Sequence, residues 1–309
     1  MIVSLGECLI DFTPVGNDGR LTGFQLHPAG SPCNVAVGLA RLGHRAGFAG
    51  RLSQDFFGKL LAEHLEDSGV DTSLVQTGSE PSPLAFLAFD HEEPVYSFRI
   101  DGTAATQIRP EDLRLEAFAK VEALHFGSIS LLYQPTASSI LQLVRHLEGR
   151  VPLSFDPNLR PNLVTEWEGY RATLRECLAL ADLIKVSERD LEAWHDGDPW
   201  EWLKRDGPTA VVVTRGANGS RLYRQNGTLD CPPSPCQLVD TVGAGDAYTS
   251  GLLVALAERR ALSRVGMAEL TPQEWLQVMR FASTAAALTC EKVGADPPWR
   301  QKVVARLEN

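Results

Sequence analysis

The sequence lacks an apolar run that approaches the length of about 18 residues needed to cross a membrane as a helix. It is also short of positive charge, because 29 lysines and arginines stand against 39 aspartates and glutamates, a formal net charge of −10. Such a chain is not expected to bind nucleic acid or an anionic membrane surface broadly. The segment Met1-Ile2-Val3-Ser4 has no basic region and is followed by no cleavage site of an export signal. We therefore expect a cytoplasmic protein.

Cysteine is scarce and scattered, and no two cysteines have a spacing typical of a zinc or redox site. The six cysteines are Cys8, Cys33, Cys177, Cys231, Cys236 and Cys290. We expect free thiols. Internal repeats and low-complexity segments are absent as well. The 44% of hydrophobic residues is enough for a sizeable core, and the length allows either two domains or one large α/β unit with an appendage.

Predicted strands and helices alternate along most of the chain, which is typical of a parallel sheet covered by helices. Strands are predicted at 2–8, 46–50, 122–127, 151–156, 182–186 and 210–214, and helices at 56–68, 110–120, 135–148 and 272–290. Two further strands at 84–89 and 95–100 have no helix between them, so they must pair antiparallel. The sequence thus predicts an α/β fold with a mostly parallel central sheet and a small additional β-sheet.

The clearest chemistry lies at 240–246, Asp-Thr-Val-Gly-Ala-Gly-Asp, which precedes an apolar helical pattern. A helix N-terminus presents unpaired N–H groups and a positive dipole end, so it attracts anions. Gly243 and Gly245 have no Cβ and would let a phosphate approach the backbone closely. Asp246 falls in the first turn, where a carboxylate is stabilised. The pattern indicates a base beside a bound phosphate; the alternative is a tight loop that only starts a core helix.

Polar residues also follow two predicted strands. Asp11 follows the first strand, and Asn158 and Arg160 follow the strand at 151–156. In open α/β sheets ligands bind at the carboxyl edge of the strands. An asparagine can hydrogen-bond a sugar hydroxyl, and the arginine fork suits a hydroxyl or a phosphoryl group. Turn or capping roles are the alternative for all three residues.

A second helix start lies near position 31. Ser31 is predicted as the N-cap, Pro32 as the first helical residue, and Gly43 as the residue that ends the helix. This assignment places Asn34 in the first turn, where its amide can offer a donor and an acceptor to a hydroxylated ligand.

Taken together, these motifs resemble those of the ribokinase-like (PfkB) carbohydrate kinases. Residues 240–246 match D-T-x-G-A-G-D at every fixed position. Residues 29–43 are similar to G-G-x-x-x-N-x-A-x-x-L-A-R-L-G, with Ala29 in place of the first glycine. The loop 156–161 resembles the D-P-N-x-R-P form of fructokinases. The resemblance covers essentially the whole chain, with the motifs in family order.

The resemblance implies a single ribokinase-like domain over residues 1–309, a Rossmann-like three-layer α/β sandwich with a β-sheet lid built from about 12–26 and 82–101. It implies transfer of the γ-phosphate of ATP to a primary hydroxyl of a monosaccharide, with Mg²⁺ as cofactor. Fructose is the first candidate, and 2-keto-3-deoxygluconate is the alternative, followed by ribose and nucleosides. A catalytically silent relative would require a broken base or anion site, and both are intact. A dinucleotide oxidoreductase is disfavoured because no G-x-G-x-x-G turn follows the first strand.

The resemblance also assigns roles to individual residues. The catalytic residues would be Asp246 as general base, Arg160, and an anion hole formed by the N–H groups of Gly243, Ala244 and Gly245. The sugar would contact Asp11, Gly30, Asn34, Arg99, Asn158, Arg160 and Asp246. ATP would contact Lys185, Ser187, Thr214, Gly216, Gly219, Gly243 and Gly245. Mg²⁺ would be held through water by Asp190 or Glu188, and a monovalent cation such as K⁺ by Asp240.

Two departures from the family pattern matter. The family's N-x-x-E motif reads Ser187-x-x-Asp190. The lid pattern Tyr-Arg-x-Gly, counted back from Gly102, puts Ile100 in the arginine slot and Arg99 in the tyrosine slot. Because a slip of one residue reverses the faces of a strand, either a bulge returns Arg99 to the pocket or the chain lacks the lid arginine. An exposed lid edge could also pair two copies into a homodimer.

Overall fold

The computed structural model describes residues 1–17, 20–90, 93–194, 197–203 and 207–308. The strands are β1 (Ile2–Leu5), β2 (Leu9–Asn17), β3 (Arg20–Ala29), β4 (Ala46–Ser53), β5 (Asp71–Gly78), β6 (Leu84–Asp90), β7 (Glu93–Arg99), β8 (Ala123–Gly127), β9 (Leu153–Asp156), β10 (Leu183–Ser187), β11 (Ala210–Thr214), β12 (Ser220–Arg224) and β13 (Gly227–Cys231). The helices are α1 (Ser31–Arg41), α2 (Phe56–Asp67), α3 (Leu115–Phe118), α4 (Thr136–Leu147), α5 (Trp167–Leu180), α6 (Glu188–Trp194), α7 (Pro199–Leu203), α8 (Ala244–Glu258), α9 (Arg264–Glu269), α10 (Pro272–Cys290) and α11 (Arg300–Leu307).

The large sheet has nine strands in the order β13-β12-β11-β10-β9-β8-β1-β4-β5. All pairs from β11 to β5 are parallel, while β12 and β13 add an antiparallel hairpin at one edge. The first strand lies in the interior of the sheet, because β1 pairs with both β4 and β8. The strand order reverses there, and the carboxyl ends of strands at such a reversal form a crevice that commonly binds ligands.

Helices cover both faces of this sheet. Leu124 and Phe126 of β8 belong to the core cluster that includes α4 and α5, whereas Ala123 belongs to the cluster that includes α1, α8 and α10. Since successive residues of a strand point to opposite faces, both faces of the sheet are buried and its inner strands are mostly apolar. The predicted three-layer α/β architecture is confirmed.

The second sheet, which we call the lid, has four strands in the order β3-β2-β6-β7. The pair β2–β6 is parallel and the other pairs, including the predicted β6–β7 pair, are antiparallel. One face packs on α2, because Phe12 stacks on Phe86 at 4.6 Å between ring centroids and meets Phe57 edge-on at 5.7 Å. Asp11 and Ala85 are a paired position next to Phe12 and Phe86, so they lie on the opposite face.

Two local predictions are wrong, and one element was not predicted. The first strand ends at Leu5 rather than residue 8, because Gly6 adopts φ 150° and the chain turns away to start the lid. The region 110–120 is helical only at α3, because Asp112 accepts a hydrogen bond from the Arg109 N–H (2.9 Å) and closes a separate 3₁₀ turn. The hairpin β12–β13 was not predicted.

Within the described ranges, none of the helices combines the length and apolarity that a membrane span requires.

Candidate active site

Helix α8 begins at the glycine-rich stretch identified in the sequence. Gly243 is the N-cap and adopts a left-handed conformation (φ 75°), and a Cβ there would lie 2.6 Å from the Ala295 Cβ. No side chain caps this helix end, although the Ala244 N–H donates to the Thr241 carbonyl (3.3 Å). An uncapped helix N-terminus keeps donors and the positive dipole end available for an anion.

Asp246, in the first turn of α8, is buried and held from two sides. The Ser31 hydroxyl donates to one carboxylate oxygen (2.6 Å) and the Asn34 amide donates to the other (2.8 Å). Burial raises the pKa of Asp246, while these two hydrogen bonds and the charge of Lys185 oppose the rise. A carboxylate with a raised pKa is a stronger base than an ordinary aspartate.

Ser31 was not predicted to be a site residue. Gly30 takes the N-cap position instead (φ 104°), so Ser31 is the first helical residue and its hydroxyl is directed to Asp246 rather than to the helix backbone. A signal was present in the sequence, because residues three apart share one face of a helix and Ser31 precedes Asn34 by three.

Glu7 is a second buried acid that the sequence interpretation left without a role. It follows β1, accepts a hydrogen bond from the Ser130 hydroxyl, and has a pKa raised by burial. A Cβ on Gly30 would lie 2.8 Å from the Glu7 carbonyl oxygen, so the start of α1 packs directly on this segment. Glu7 also borders a small cavity of about 10 Å³. The cavity is lined by Glu7, Leu9, Pro83, Ile100, Ala105, Thr106, Ile129, Ser130 and Tyr133.

The loop after β9 brings Asn158 and Arg160 to the carboxyl edge, as predicted. The Asp156 carboxylate accepts from the Asn158 N–H (3.1 Å), and Asn158 adopts φ 40°. The Arg160 guanidinium donates to the Asn158 side-chain oxygen (2.7 Å). Burial raises the pKa of Asp11 and the charge of Arg160 opposes this rise, so the two residues lie within electrostatic reach of each other.

Asp11 lies on lid strand β2 rather than at the end of β1. Burial raises its pKa to about 6, with Asp246 and Asp240 adding to the rise and Arg160 opposing it. Asp11 therefore lies on the lid within electrostatic reach of Asp246 at the N-terminal end of α8, and a ligand between them would contact both.

Arg99 is not brought to this site. The β6–β7 ladder pairs Leu84 with Arg99 and Ala85 with Phe98, and it continues to the strand ends without a register shift. Phe98 therefore shares the face of Asp11, while Arg99 is exposed on the other face and donates to the Ser97 hydroxyl (3.1 Å). The bulge that would return Arg99 to the pocket is absent from the described ladder.

The residues expected at the nucleotide lie on neighbouring strand ends. Ser187 pairs with Thr214 at the carboxyl ends of β10 and β11. Gly216 and Gly219 belong to the tight connection from β11 to the antiparallel β12, where a Cβ on Gly219 would lie 2.2 Å from the Cys231 carbonyl oxygen. Lys185 is buried below this edge, and its ammonium donates to Asp156 (2.8 Å).

The predicted metal ligands differ in burial and in how many of their oxygens already accept hydrogen bonds. Asp190 is buried, and its oxygens accept from the Leu159 N–H (2.8 Å) and from the Ser187 hydroxyl (2.6 Å), whereas Glu188 is exposed. Asp240 accepts from the N–H groups of Val242 (3.1 Å) and Gly294 (2.8 Å), so a cation there would share these oxygens.

Among the residues that the structure describes, no three acidic, histidine or cysteine side chains converge to hold a metal directly. Mg²⁺ usually keeps several waters and takes one or two carboxylates, so the exposed Glu188 fits water-mediated binding better than the engaged Asp190.

Known proteins resemble this chain in both sequence and fold. The pfkB family carbohydrate kinase model matches residues 1–302. A fructokinase of Rhizobium leguminosarum bv. trifolii is 34% identical over 279 residues, which cover 88% of this chain and 85% of the relative. A solved fructokinase of Xylella fastidiosa with bound ATP superposes with a TM-score of 0.91 at 28% identity and covers 99% of this chain and 98% of its own.

A fructokinase of Vibrio cholerae O395, solved with fructose, ADP and calcium, superposes with a TM-score of 0.81 at 25% identity, over 99% of this chain and 97% of its own. The family match therefore extends over nearly the whole chain, and the fold agrees along the same length. The chain belongs to the pfkB family of carbohydrate kinases and is an ATP-dependent sugar kinase.

Proposed function

We propose that this enzyme phosphorylates fructose, with Asp246 as the general base. The observation that carries the proposal is the clamp on Asp246, whose oxygens accept from Ser31 (2.6 Å) and Asn34 (2.8 Å) at the uncapped start of α8. This clamp fixes a buried carboxylate beside backbone donors that suit a phosphate. A general base and an anion site must lie side by side in phosphoryl transfer, because the attacking hydroxyl loses its proton while charge is distributed over the phosphoryl oxygens.

Each group then has a definite task. Asp246 accepts the proton of the acceptor hydroxyl, and the first-turn N–H groups of α8, at Gly243, Ala244 and Gly245, bind the transferring phosphoryl oxygens. Asp11, Gly30, Asn34, Asn158 and Arg160 bind and orient the sugar. Mg²⁺, bound through water near Glu188 or Asp190, would neutralise phosphate charge. Thr214, Gly216 and Gly219 would contact the nucleotide at the ends of β10 and β11.

Fructose is favoured over 2-keto-3-deoxygluconate by the position of the lid arginine. Arg99, the cation that would partner a sugar carboxylate, faces away. A sugar carboxylate would therefore lack Arg99 as its partner on the lid side, and a buried charge without its partner is unfavourable. The relatives named fructokinase, including the one solved with fructose, support the same choice.

The test is a screen of ADP release with fructose, 2-keto-3-deoxygluconate, ribose and adenosine as acceptors. We expect fructose to give the highest kcat/KM. A clear preference for the keto acid would overturn the fructose assignment, while the kinase class would stand.

The proposal extends to a homodimer formed through the lid. Strand β3 is an edge strand of the lid sheet and carries the exposed apolar side chains Leu21 and Leu26, with exposed fractions of 61% and 40%. An exposed apolar edge strand is a surface that a second copy can cover. Sedimentation velocity of the parent and of Leu21→Lys tests this: a parent dimer that the variant dissociates supports the lid interface, and a monomeric parent removes it.

A further inference from the structure

A buried ion pair lies under the anion hole and has no part in the mechanism described above. The Lys185 ammonium donates to the Asp156 carboxylate at 2.8 Å, and both side chains are almost fully buried, with exposed fractions of 5% and 2%. Removing two charges from water is costly, and such a pair is often no more stabilising than apolar residues of similar size. Its presence directly below the site therefore calls for a reason other than stability.

The ammonium lies against the first turn of α8. A Cβ built on Gly245 would lie 2.8 Å from the Lys185 Nζ, so a side chain at this position would displace the ammonium from where it lies now. Gly245 does not have a positive φ, unlike Gly243, so its backbone conformation alone would accept alanine. The absence of a side chain at 245 thus serves the cation from below as well as a phosphate from above.

The charges around Asp246 give the pair a function. Lys185 lowers the pKa of Asp246 and Asp156 raises it, and the lysine has the larger effect of the two. Glu7 and Asp11 also interact with Asp246 electrostatically, and both are acids. Lys185 is thus a cation that offsets these acids at Asp246.

Lys185 itself stays charged. Burial alone would lower its pKa, but the charge and hydrogen bond of Asp156, together with Asp190 and Asp246, hold the pKa above its ordinary value. The neighbouring His125 is buried, with a pKa lowered to about 3 by burial and by Lys185, so it adds no competing positive charge.

We propose that Lys185 and Asp156 are a pair of positioning residues, in which Asp156 holds the Lys185 ammonium beneath Gly245 so that Asp246 stays ionised and ready to accept a proton. This inference rests on the proposed role of Asp246 as the general base. Asp156 also accepts from the Asn158 N–H, so the same carboxylate links the sugar loop to the cation.

The first variant is Lys185→Met, which keeps the length of the side chain and removes its charge. We expect kcat to fall at least about tenfold. The acid limb of the kcat/KM profile should move to higher pH, because the cation that lowers the pKa of Asp246 is gone. Lys59→Met, on the exposed surface of α2, is the matched control and should keep the parental profile.

The second variant, Lys185→Met with Asp156→Asn, removes both buried charges and leaves no unpaired ion, so it guards against misfolding of the single variant. We expect its melting temperature near that of the parent, kcat still depressed at least about tenfold, and an acid limb between those of the parent and of Lys185→Met. A double variant with parental kcat and parental pH profile would show that the pair is merely structural and would overturn the inference. So would a parental profile in Lys185→Met.

Asp246→Asn, assayed alongside, separates this inference from the proposed function. If Asp246→Asn keeps turnover, the base assignment itself fails. If Asp246→Asn is inactive while the double variant behaves like the parent, only the role of the buried pair fails. Fructose serves as the acceptor, or whichever of the four screened compounds is phosphorylated.

Discussion

The start of α8 and the lid bind opposite sides of the same proposed substrate, but they are built differently. Asp246 is buried and held by two side chains of another helix, at 2.6 and 2.8 Å. The lid contributes Asp11, which is only partly buried. It also carries Arg99, whose guanidinium donates hydrogen bonds to its own strand neighbours Ser97 and Phe98. The position of the proposed base, Asp246, is thus set by packing between helices that are distant in sequence. The side chains that the lid presents to the sugar are set by strand register, because a shift of one residue exchanges the side chains that face the ligand.

The largest expected effect is on the catalytic side. Asp246→Asn keeps the shape and removes the base, so kcat should fall by about 10²–10⁴-fold. The dissociation constant of ATP should stay the same or decrease, because a negative charge near the phosphates is lost. Steady-state kinetics and calorimetric ATP titration measure the two quantities. Turnover within about tenfold of the parent, well short of the loss expected for a base, would remove Asp246 from the mechanism.

Gly243→Ala should be the next largest change. The left-handed conformation costs a non-glycine residue about 1–2 kcal/mol, and the new Cβ would also lie 2.6 Å from the Ala295 Cβ. We expect a loss of about 2–4 kcal/mol in the free energy of unfolding, the sum of conformational strain and overpacking, together with reduced kcat.

Gly149→Ala is the matched control, because Gly149 has φ 68° and its Cβ would meet nothing within 4 Å. Urea denaturation gives the free energy of unfolding of both variants, and the difference between their losses is the cost of the contact with Ala295. Equal losses in the two would mean that the contact with Ala295 relaxes without cost.

Asp11→Asn tests the lid side and should have opposite effects on stability and binding. The pKa of Asp11 is raised from 3.8 to about 6, so the folded state favours the protonated form. The preference for the protonated carboxyl stabilises the folded protein fully below about pH 4, and this stabilisation is lost as pH rises through about 6. The uncharged variant should therefore be more stable than the parent at pH 8, by roughly 1–3 kcal/mol, and equally stable near pH 3.5.

Sugar binding should weaken in the same variant, because a carboxylate is a stronger acceptor of a hydroxyl hydrogen bond than an amide. We expect KM for fructose to rise about tenfold or more, in line with the loss of a charged hydrogen bond. Thermal melts at pH 3.5 and 8 and fructose kinetics at pH 8 are the measurements. A variant that is less stable than the parent at pH 8 contradicts the raised pKa.

Arg99→Ala should have the smallest effect. The side chain is exposed on the face away from Asp11, so KM for fructose should change less than about twofold, as is usual for a surface substitution. Arg160→Ala is the positive control and should raise KM for fructose markedly, because the charge of Arg160 acts on Asp11 at the proposed sugar site. A tenfold rise for Arg99→Ala would mean that the lid changes register when sugar binds.

The sequence predicted the start of α8 and the parallel strands well because their signals are local. The glycines and Asp246 occupy consecutive positions, and the parallel strands are long apolar runs, so motif and periodicity suffice to place them. Ser31 was misassigned because an N-cap and a first-turn residue differ by one position, and the partner that decides between them, Asp246, lies 215 residues away. The face on which Arg99 lies could not be predicted, because register depends on the strands with which β7 pairs.

The buried pair was also beyond the sequence. Asp156 ends β9 and Lys185 lies beside it in the neighbouring parallel strand β10, but their mutual contact depends on both side chains pointing to one face. Nothing in the motif alone indicates that Gly245 leaves room for an ammonium group.

The separation of Asp246 from its partners has a practical consequence for assembly. Ser31 and Asn34 emerge early in synthesis, and the carboxylate that they align follows 215 and 212 residues later. A nascent chain therefore cannot have an ordered base until most of the protein has been made. A cut at Gln225-Asn226, in the turn of the hairpin β12–β13, would leave the aligning residues on one fragment and Asp246 on the other. Kinase activity would then report when the two pieces rejoin, making this fold a natural starting point for a split-enzyme sensor.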